Sequence, residues 1–187
     1  TREFLPDGGQ RQTDYDVFGD ARRIVDAEGH VVEQRFDGLS RLLQSDRLGV
    51  RRVVDDAGTR GVATTLSSRY TYDQLGRRLS QTDAAGQTIR TDYDGVGRVV
   101  RSVSGQGFET IYRYEVVAAG ASGGVLGVGG VNVGGIRLTA TLASGRSTID
   151  KIDYFGHTTW HRDLGGADTV YSYDRAARLV AQTGGAH

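Results

Sequence analysis

The sequence predicts an all-β fold, and three features carry that prediction. Gly accounts for 28 of the 187 residues, twice the usual share of about 7%, which favours tight turns. Asp outnumbers Glu by 18 to 5, and Asp stabilises turns by bonding its own backbone, whereas Glu favours helices. Val, Ile, Thr and Tyr recur in short alternating stretches, without long runs at the 3.6-residue period of a helix. Short strands joined by tight turns are the expected result.

Charge and composition exclude several functional classes. The formal net charge is zero, with 37% hydrophobic and 25% charged residues, which argues against a disordered tail and against binding to a nucleic-acid backbone. Without Cys, the chain has no disulfides, zinc–thiolate sites, iron–sulfur clusters or thiol nucleophiles. Since the chain begins at Thr1 and contains no Met, we expect it to be a piece of a longer polypeptide.

An internal repeat organises the turns. Each copy has an aromatic or aliphatic residue before Asp and a Gly or small residue three places after it. The Asp residues at 16 and 37, at 73 and 94, and at 153 and 174 are each 21 residues apart, and Glu115 continues the spacing as a degenerate copy. A fixed period of this length indicates a repeat architecture. The motif residues that we single out are Tyr15, Asp16, Gly19, Phe36, Asp37, Tyr72, Asp73, Gly76, Arg77, Tyr93, Asp94, Gly97, Arg98, Asp153, Gly156, Tyr173 and Asp174.

A second turn signal lies about ten residues into each repeat, so that each repeat is expected to form two turns. These signals are Asp26 to Gly29, Asp46 to Gly49, Asp83 to Gly86, and Asp163 to Gly166. The strands between turns alternate: Tyr112 and Tyr114 face one way, and Ile111 and Arg113 the other. A column of Tyr side chains along one sheet face is therefore predicted.

The clearest copy, Tyr72-Asp73-Gln74-Leu75-Gly76-Arg77-Arg78-Leu79, resembles the YD repeat of RHS-repeat proteins. The resemblance covers residues 13 to 115 and 150 to 184. It implies a long β-sheet that spirals into a hollow shell, or cocoon, as in bacterial RHS polymorphic toxins, the B and C components of insecticidal toxin complexes, and teneurins. The self-cleavage signature of the family, Asp-Pro-x-Gly, is absent, because Pro6 is the only Pro.

Two interruptions divide the predicted array. We expect a lead-in over 1–12, a shell segment over 13–115 with an insertion near 50–68, a Gly-rich insertion over 116–149, and a further shell segment over 150–187. Residues 116–136 carry no charge and are long enough to span a bilayer. However, Gly costs about 1 kcal/mol per helical position relative to Ala. A loop on the shell is favoured over a segment packed into the lumen or against another domain, and over membrane insertion.

Two sets of residues could carry chemistry, and each also has a structural interpretation. His157 and His161 with Asp163 have metal-ligand spacing for a helix, but the intervening residues favour a strand, and His157 occupies the position that Arg holds in other copies. The Asp pairs 14/16 and 92/94 suggest acid–base dyads, but they recur because the repeat recurs, and a turn cap is preferred.

We therefore expect no catalytic residue, no metal ligand and no cofactor, and do not expect an enzyme. The one Gly-x-Ser-x-Gly match, Gly120-Ala121-Ser122-Gly123-Gly124, lies in the Gly-rich stretch and lacks the following helix that a nucleophile elbow requires. The same stretch lacks the Lys and the following helix of a phosphate-binding loop.

The resemblance implies a function in enclosure. The chain would be a shell segment of a bacterial secreted RHS-type toxin, enclosing a C-terminal effector that lies outside this sequence. Its partners would be the remainder of the same polypeptide, the effector, and components of a secretion system or toxin complex, with neither nucleic acid nor a membrane span, at a secreted or cell-surface location. The alternative is an adhesion or carbohydrate-binding surface protein, for which exposed Tyr and Trp160 side chains could stack on sugars.

Overall fold

A computed structural model of the chain describes residues 1–4, 9–51, 63–121, 125 and 133–184. Within these ranges the regular structure consists of strands and turns, with no helix. Fifteen strands form one antiparallel sheet, and their order in the sheet is their order in the sequence. The prediction of an all-β fold is confirmed.

The chain divides into two units, Thr1–Arg90 and Thr91–His187, and strand β8 crosses the boundary between them. The strands up to that boundary are β1 (Arg2–Phe4), β2 (Gln10–Tyr15), β3 (Ala21–Val25), β4 (Val31–Phe36), β5 (Leu42–Arg51), β6 (Ala63–Tyr72), β7 (Arg78–Thr82) and β8 (Thr88–Tyr93). Those that follow are β9 (Val99–Val103), β10 (Glu109–Val117), β11 (Gly135–Leu142), β12 (Ser147–Asp153), β13 (Thr158–Arg162), β14 (Asp168–Tyr173) and β15 (Leu179–Gly184).

The strand alternation gives each unit two chemically different faces. On one face, which we call the polar face, charged residues stand opposite one another: Asp14 opposite Arg23, and Arg23 opposite Glu33. The other, the tyrosine face, carries Tyr and aliphatic side chains, with Tyr112 opposite Ala140 and Tyr114 opposite Leu138. The register thus follows the alternation that the sequence predicts for β10.

A hydrophobic core contributes little to this sheet. Among the described residues, Val125 is the only buried hydrophobic residue, and the buried polar residues are Asp153 and Thr159. Backbone hydrogen bonds between strands, cross-strand side-chain pairs and the turns must therefore supply most of the stabilisation.

One predicted turn and one degenerate repeat copy lie inside strands instead. Asp46 to Gly49, predicted as a turn, belongs to β5, where Gly49 has a φ of 69° and the register shifts between Arg47 and Val50. We expected Gly49 to close a turn with its positive φ, but that backbone conformation forms part of a β-bulge instead. Glu115 lies within β10, opposite Arg137, because that strand continues to Val117.

Two tight hairpin turns in the described part of the chain have no Asp at their first position and were missed in the sequence. Gly107 donates its backbone N–H to the Ser104 carbonyl at 2.9 Å, and Gly145 donates to the Leu142 carbonyl at 2.9 Å. A positive-φ Gly at the fourth position marks both turns, and that Gly was the only available signal.

Parts of both predicted insertions form strands. The ten-residue strands β5 and β6 flank the first insertion, and residues 52–62 lie outside the described part of the chain. The predicted range 116–149 contains β11 and the start of β12. Within it, residues 122–124 and 126–132 are not described. Helices with the length and hydropathy of a membrane span are absent from the described ranges.

Gly135 allows β11 and β12 to approach closely. A Cβ atom at this position would lie 2.0 Å from the carbonyl oxygen of Ile152. By contrast, a Cβ atom at Gly95 would have no atom within 4 Å.

Replacing Gly135 by Ala should therefore destabilise the second unit by about 3 kcal/mol, because backbone atoms of β12 cannot move aside cheaply. Gly95→Ala is the matched control and should change stability by less than about 0.5 kcal/mol. Urea unfolding followed by the fluorescence of Trp160, the single Trp of the chain, measures both. Equal midpoints for the two variants would contradict the close approach.

Candidate functional site: the repeat turn and its contact with the next repeat

Each repeat turn is built around one Asp. At Asp73, the backbone N–H donates to the Arg77 carbonyl at 2.9 Å, and the Gly76 N–H donates to the Asp73 carbonyl at 3.1 Å. Gly76 has a φ of 84°, which completes a type I turn followed by a positive-φ residue, a common hairpin connection.

The Asp side chain then closes the turn on both of its oxygens. Asp73 Oδ1 accepts the backbone N–H groups of Leu75 and Arg77, both at 2.9 Å. Its Oδ2 accepts Nε–H of Arg77 at 2.6 Å. The same three bonds form in the turns that begin at Asp37, Asp94 and Asp174.

Four copies depart from the regular turn in informative ways. The turn at Asp16 keeps both backbone bonds but has Asp20 where the others have Arg. The copy at Asp153, the least regular in sequence, forms the complete turn, with His157 Nδ1 lying 3.0 Å from Asp153 Oδ2. Ser40 and Ala177 take the place of the Gly in the copies at Asp37 and Asp174, with φ values of 58° and 60°, and each costs about 1 kcal/mol relative to Gly.

These bonds favour the ionised carboxylates. Partial burial raises the pKa of Asp73, but the bonds donated by the side chain and backbone of Arg77 outweigh it, and the pKa lies below its ordinary value. The corresponding Arg98 lowers the pKa of Asp94 in the same way, against burial. At Asp174 the backbone and side chain of Arg178 are the main causes of a lowered pKa.

A one-residue register shift follows the same turns. For example, Thr71 pairs with Ser80 and Tyr72 with Arg78, so that Leu79 is skipped. Such a β-bulge bends its strand and increases the local twist. Residues six places after the turn Asp are skipped in this way in five copies: Arg22, Leu43, Leu79, Thr159 and Val180.

The turns at Asp37, Asp94 and Asp153 are also joined to the Tyr of a later copy. The Arg41 guanidinium lies 5.1 Å from the centroid of the Tyr72 ring and donates to the Asp73 carbonyl at 2.9 Å. The Tyr72 hydroxyl donates to the Leu42 carbonyl at 2.9 Å. Arg41 therefore connects its own turn Asp with the following copy of the repeat.

The same arrangement recurs in the second unit. Arg98 lies 4.5 Å from the Tyr114 ring, and the Tyr114 hydroxyl donates to the Val99 carbonyl at 3.0 Å. The His157 ring takes the place of Arg, 4.9 Å from the Tyr173 ring, while the Tyr173 hydroxyl donates to Thr158 at 2.8 Å. The hydroxyl groups of these motif tyrosines are thus bonded within the sheet.

The tips of the repeat turns are apolar and exposed. Phe18 is 77% exposed and Leu39 72% exposed, and each lies two residues after its turn Asp. The equivalent large apolar side chains in the other copies are Leu75, Val96 and Phe155. Turns at the opposite ends of the strands have small or polar residues at this position: Glu28, Ala85, Gln106, Ser144 and Gly165.

The candidate metal and dyad residues have separate partners. His157 bonds Asp153, and His161 Nδ1 lies 2.7 Å from Asp150 Oδ1. Asp92 bonds Arg101, whereas Asp94 closes its turn.

A different group that sequence reasoning missed could hold a cation. One ligand atom from each of Asp26, Glu28 and His30 lies within 4.8 Å of the others. These residues belong to a single exposed turn, in which Asp26 already bonds two backbone N–H groups and His30 Nδ1.

Comparison with known proteins finds structural similarity only. No protein-family model matches the chain, and no curated protein matches it. A crystal structure of TcdB2-TccC3-Cdc42 is similar at 16% identity with a TM-score of 0.28, over 97% of this chain and 13% of that chain. TcdB2-TccC3 without its hypervariable C-terminal region gives 16% identity and a TM-score of 0.29, over 93% and 13%. A Photorhabdus luminescens Tc holotoxin pore gives 12% and 0.23, over 95% and 14%.

Removing the Tyr114 hydroxyl tests the contact between repeats. Tyr114→Phe should cost about 1 kcal/mol, because the Val99 carbonyl loses its bond while the ring remains beside Arg98. Tyr112→Phe, on the same strand and face but without a hydroxyl bond to another described residue, is the control and should leave stability unchanged. Urea midpoints measure both, and an equal loss in the two variants would argue against the contact.

The turn carboxylates also predict acid sensitivity. A carboxyl with a lowered folded-state pKa stabilises the fold above its unfolded pKa, and that stability is lost as the pH falls through the folded pKa. The urea midpoint should therefore be flat near neutral pH and fall below about pH 4. Asp94→Asn should have a lower midpoint at neutral pH and a weaker pH dependence than the unmodified chain. Identical pH profiles would exclude a contribution from this carboxylate.

Proposed function

We propose that the chain is a wall segment of the shell of a secreted RHS-type toxin, whose shell encloses an effector until delivery. The proposal rests on the tandem repeat, on its resemblance to YD repeats and on the single-layer sheet that the repeat forms. The rest of the same polypeptide would extend this sheet and supply the effector. Other partners would be components of a toxin complex or secretion system.

The burial and hydrogen bonding of the motif tyrosines are the observations that support the proposal most directly. In a protein that displays aromatic residues to a ligand, the rings must be accessible and their hydroxyls available. Here Tyr72, Tyr114 and Tyr173 are half-buried, with hydroxyls bonded to carbonyls of the neighbouring strand. The repeated residues therefore serve the continuity of the sheet, as expected of a wall.

The same observation weighs against the alternative of adhesion or carbohydrate binding. Trp160 is half-buried, and both Lys151 and Arg162 lie about 5 Å from its ring centroid. Tyr154 is 60% exposed and Tyr15 is 53% exposed, and these two rings remain the best candidates for stacking on a sugar. A glycan surface would need several such rings along one groove.

Enclosure requires shape rather than a reactive side chain. We propose that this segment has no catalytic role, and that it acts at a secreted or cell-surface location as part of the longer toxin.

Limited proteolysis of the full-length parent polypeptide tests the proposal. With intact-mass detection, a segment outside these repeats should resist cleavage in the native protein and be cleaved after unfolding. Protection should decrease in a parent carrying both Tyr114→Phe and Arg98→Gln, which weaken one contact between repeats. It should persist in the Tyr112→Phe control. Equal cleavage of native and unfolded protein would reject enclosure and favour an open adhesive surface.

A further inference from the structure

The polar face of the second unit contains an unusual concentration of positive charge. Along the polar face of the adjacent strands β10 to β13 lie the cationic side chains Arg113, Arg137, Lys151 and Arg162. The acidic side chains beside them are Glu115 and, on β14, Asp168, while Glu109 on β10 is paired with Arg101. Elsewhere on this face in the unit, Arg101 lies between Asp92 and Glu109 and bonds both. Basic side chains are therefore in excess around Arg137 and Lys151, whereas acidic side chains are in excess around Arg101.

Two of these cations directly oppose each other. Arg137 on β11 pairs with Lys151 on β12 in the strand register. Like charges in this position destabilise an antiparallel sheet, because opposed Cβ atoms are only about 5 Å apart.

A like-charged acidic pair in the first unit provides a contrast. Glu33 opposes Asp46, but bonds from Ser67 and Gln44, with nearby Arg35 and Arg69, lower the pKa of Asp46. The ionised form of that carboxyl is therefore stabilised by its surroundings.

The surroundings of Lys151 act in the opposite way and disfavour its charged form. Burial lowers its pKa, and the charges of Arg137 and Arg162 lower it further, while Asp168 acts in the other direction. The surroundings thus disfavour the charge on Lys151, which also has a further interaction within the protein.

The acidic residues leave this cluster incompletely neutralised. Asp168 is engaged by Arg162, which donates to its two oxygens at 2.7 and 2.9 Å. Arg137 reaches Glu115 only through a long contact of 3.5 Å.

Trp160 fixes the position of the cations. Lys151 Nζ lies 4.9 Å and Arg162 Cζ 5.1 Å from its ring centroid, within the range of cation–π attraction.

A groove of about 340 Å³ adjoins the cluster. It is lined by Arg113, Arg137, Thr139, Thr141 and Ile149, together with Ile111 and Glu115. Arg113 is exposed and forms no ion pair with another described residue. Guanidinium and hydroxyl groups along the groove offer hydrogen-bond donors to a ligand with anionic oxygens.

We infer that Arg137, Lys151 and Arg162, with Arg113 at the groove, form a binding site for an oxyanion on the polar face of the second unit. A carboxylate, sulfate or phosphate placed there would neutralise the opposed Arg137 and Lys151 and accept their N–H bonds. The group could come from a free inorganic ion or from an acidic peptide segment. The inference does not depend on the proposed function.

Trp160 provides a direct readout, since it is the single Trp of the chain and contacts two of the cations. Its fluorescence would be followed while sulfate, inorganic phosphate or a Glu-rich peptide is added, with NaCl holding the ionic strength constant. A saturable change is expected. Lys151→Met and Arg137→Gln should each weaken binding at least tenfold. Arg90→Gln removes a cation from the polar face of the first unit and should have no effect.

A second measurement uses the single Lys. Bound anion should slow the acylation of Lys151, as measured by mass mapping, which keeps the test valid if either variant unfolds. Saturation by sulfate or phosphate alone would assign an inorganic oxyanion, and saturation by the peptide alone an acidic polypeptide. Saturation by the inorganic ions and by the peptide would support a site for anionic oxygens from either source. A linear fluorescence response, or an acylation rate unchanged by every probe, would overturn the inference.

Discussion

The Asp carboxylate that closes its own turn is the interaction on which the rest of the structure depends. One side chain accepts two backbone N–H groups through Oδ1 and the Arg four residues later through Oδ2, as at Asp73. In a sheet whose described residues bury one hydrophobic side chain, strand pairing cannot be selected by a core. The turn selects it instead, because it fixes the residue at which one strand ends and the next begins. This requirement accounts for the excess of Asp over Glu: a longer Glu side chain does not form the same local bonds.

The Arg that completes a turn also joins that turn to the following copy of the repeat. Arg41 bonds Asp37 at 2.7 Å, contacts the Tyr72 ring and donates to the Asp73 carbonyl. Those two partners lie beyond an insertion, yet they meet Arg41 because the long strands β5 and β6 pair and return the chain to the same place. The spatial arrangement is therefore conserved within the molecule where sequence spacing is lost. At Asp153 a His takes the place of the Arg. His157 contacts both the Asp153 carboxylate and the Tyr173 ring, so it makes the same connection between a turn and a later Tyr as Arg41 does.

The sequence was sufficient to predict the strands and turns that depend on local bonds. The turns at 16, 37, 73, 94, 153 and 174 were predicted from the Asp, from the Gly or small residue three places after it, and from the 21-residue spacing. Strand alternation placed Tyr112 and Tyr114 on one face. The prediction was wrong where the same residue pattern is compatible with two different local structures. Gly49 has the φ of a turn glycine but lies in a bulge, and Glu115 has the spacing of a turn but lies in a strand. The contacts of Arg41 and Arg98 with later tyrosines depend on strand register, which no local motif determines. The same limitation applies to Arg137 and Lys151, which are fourteen residues apart in sequence and opposed in the sheet.

A single-layer sheet also places a strict condition on its polar face. Few side chains are buried among the described residues, so charges on the polar face are neutralised mainly by neighbours on the same face. The sign of the charge alternates along the row Asp14, Arg23 and Glu33 and among Asp92, Arg101 and Glu109. Each of these two sets pairs its cation with acidic groups and has one more acidic than basic side chain. The pair Arg137 and Lys151 breaks the alternation at a place where Trp160 holds the cations and a groove admits a ligand. Because the neighbouring set Asp92, Arg101 and Glu109 has an excess of acidic groups, an anion would gain more at Arg137 and Lys151 than there, and its binding would mark one position on the polar face.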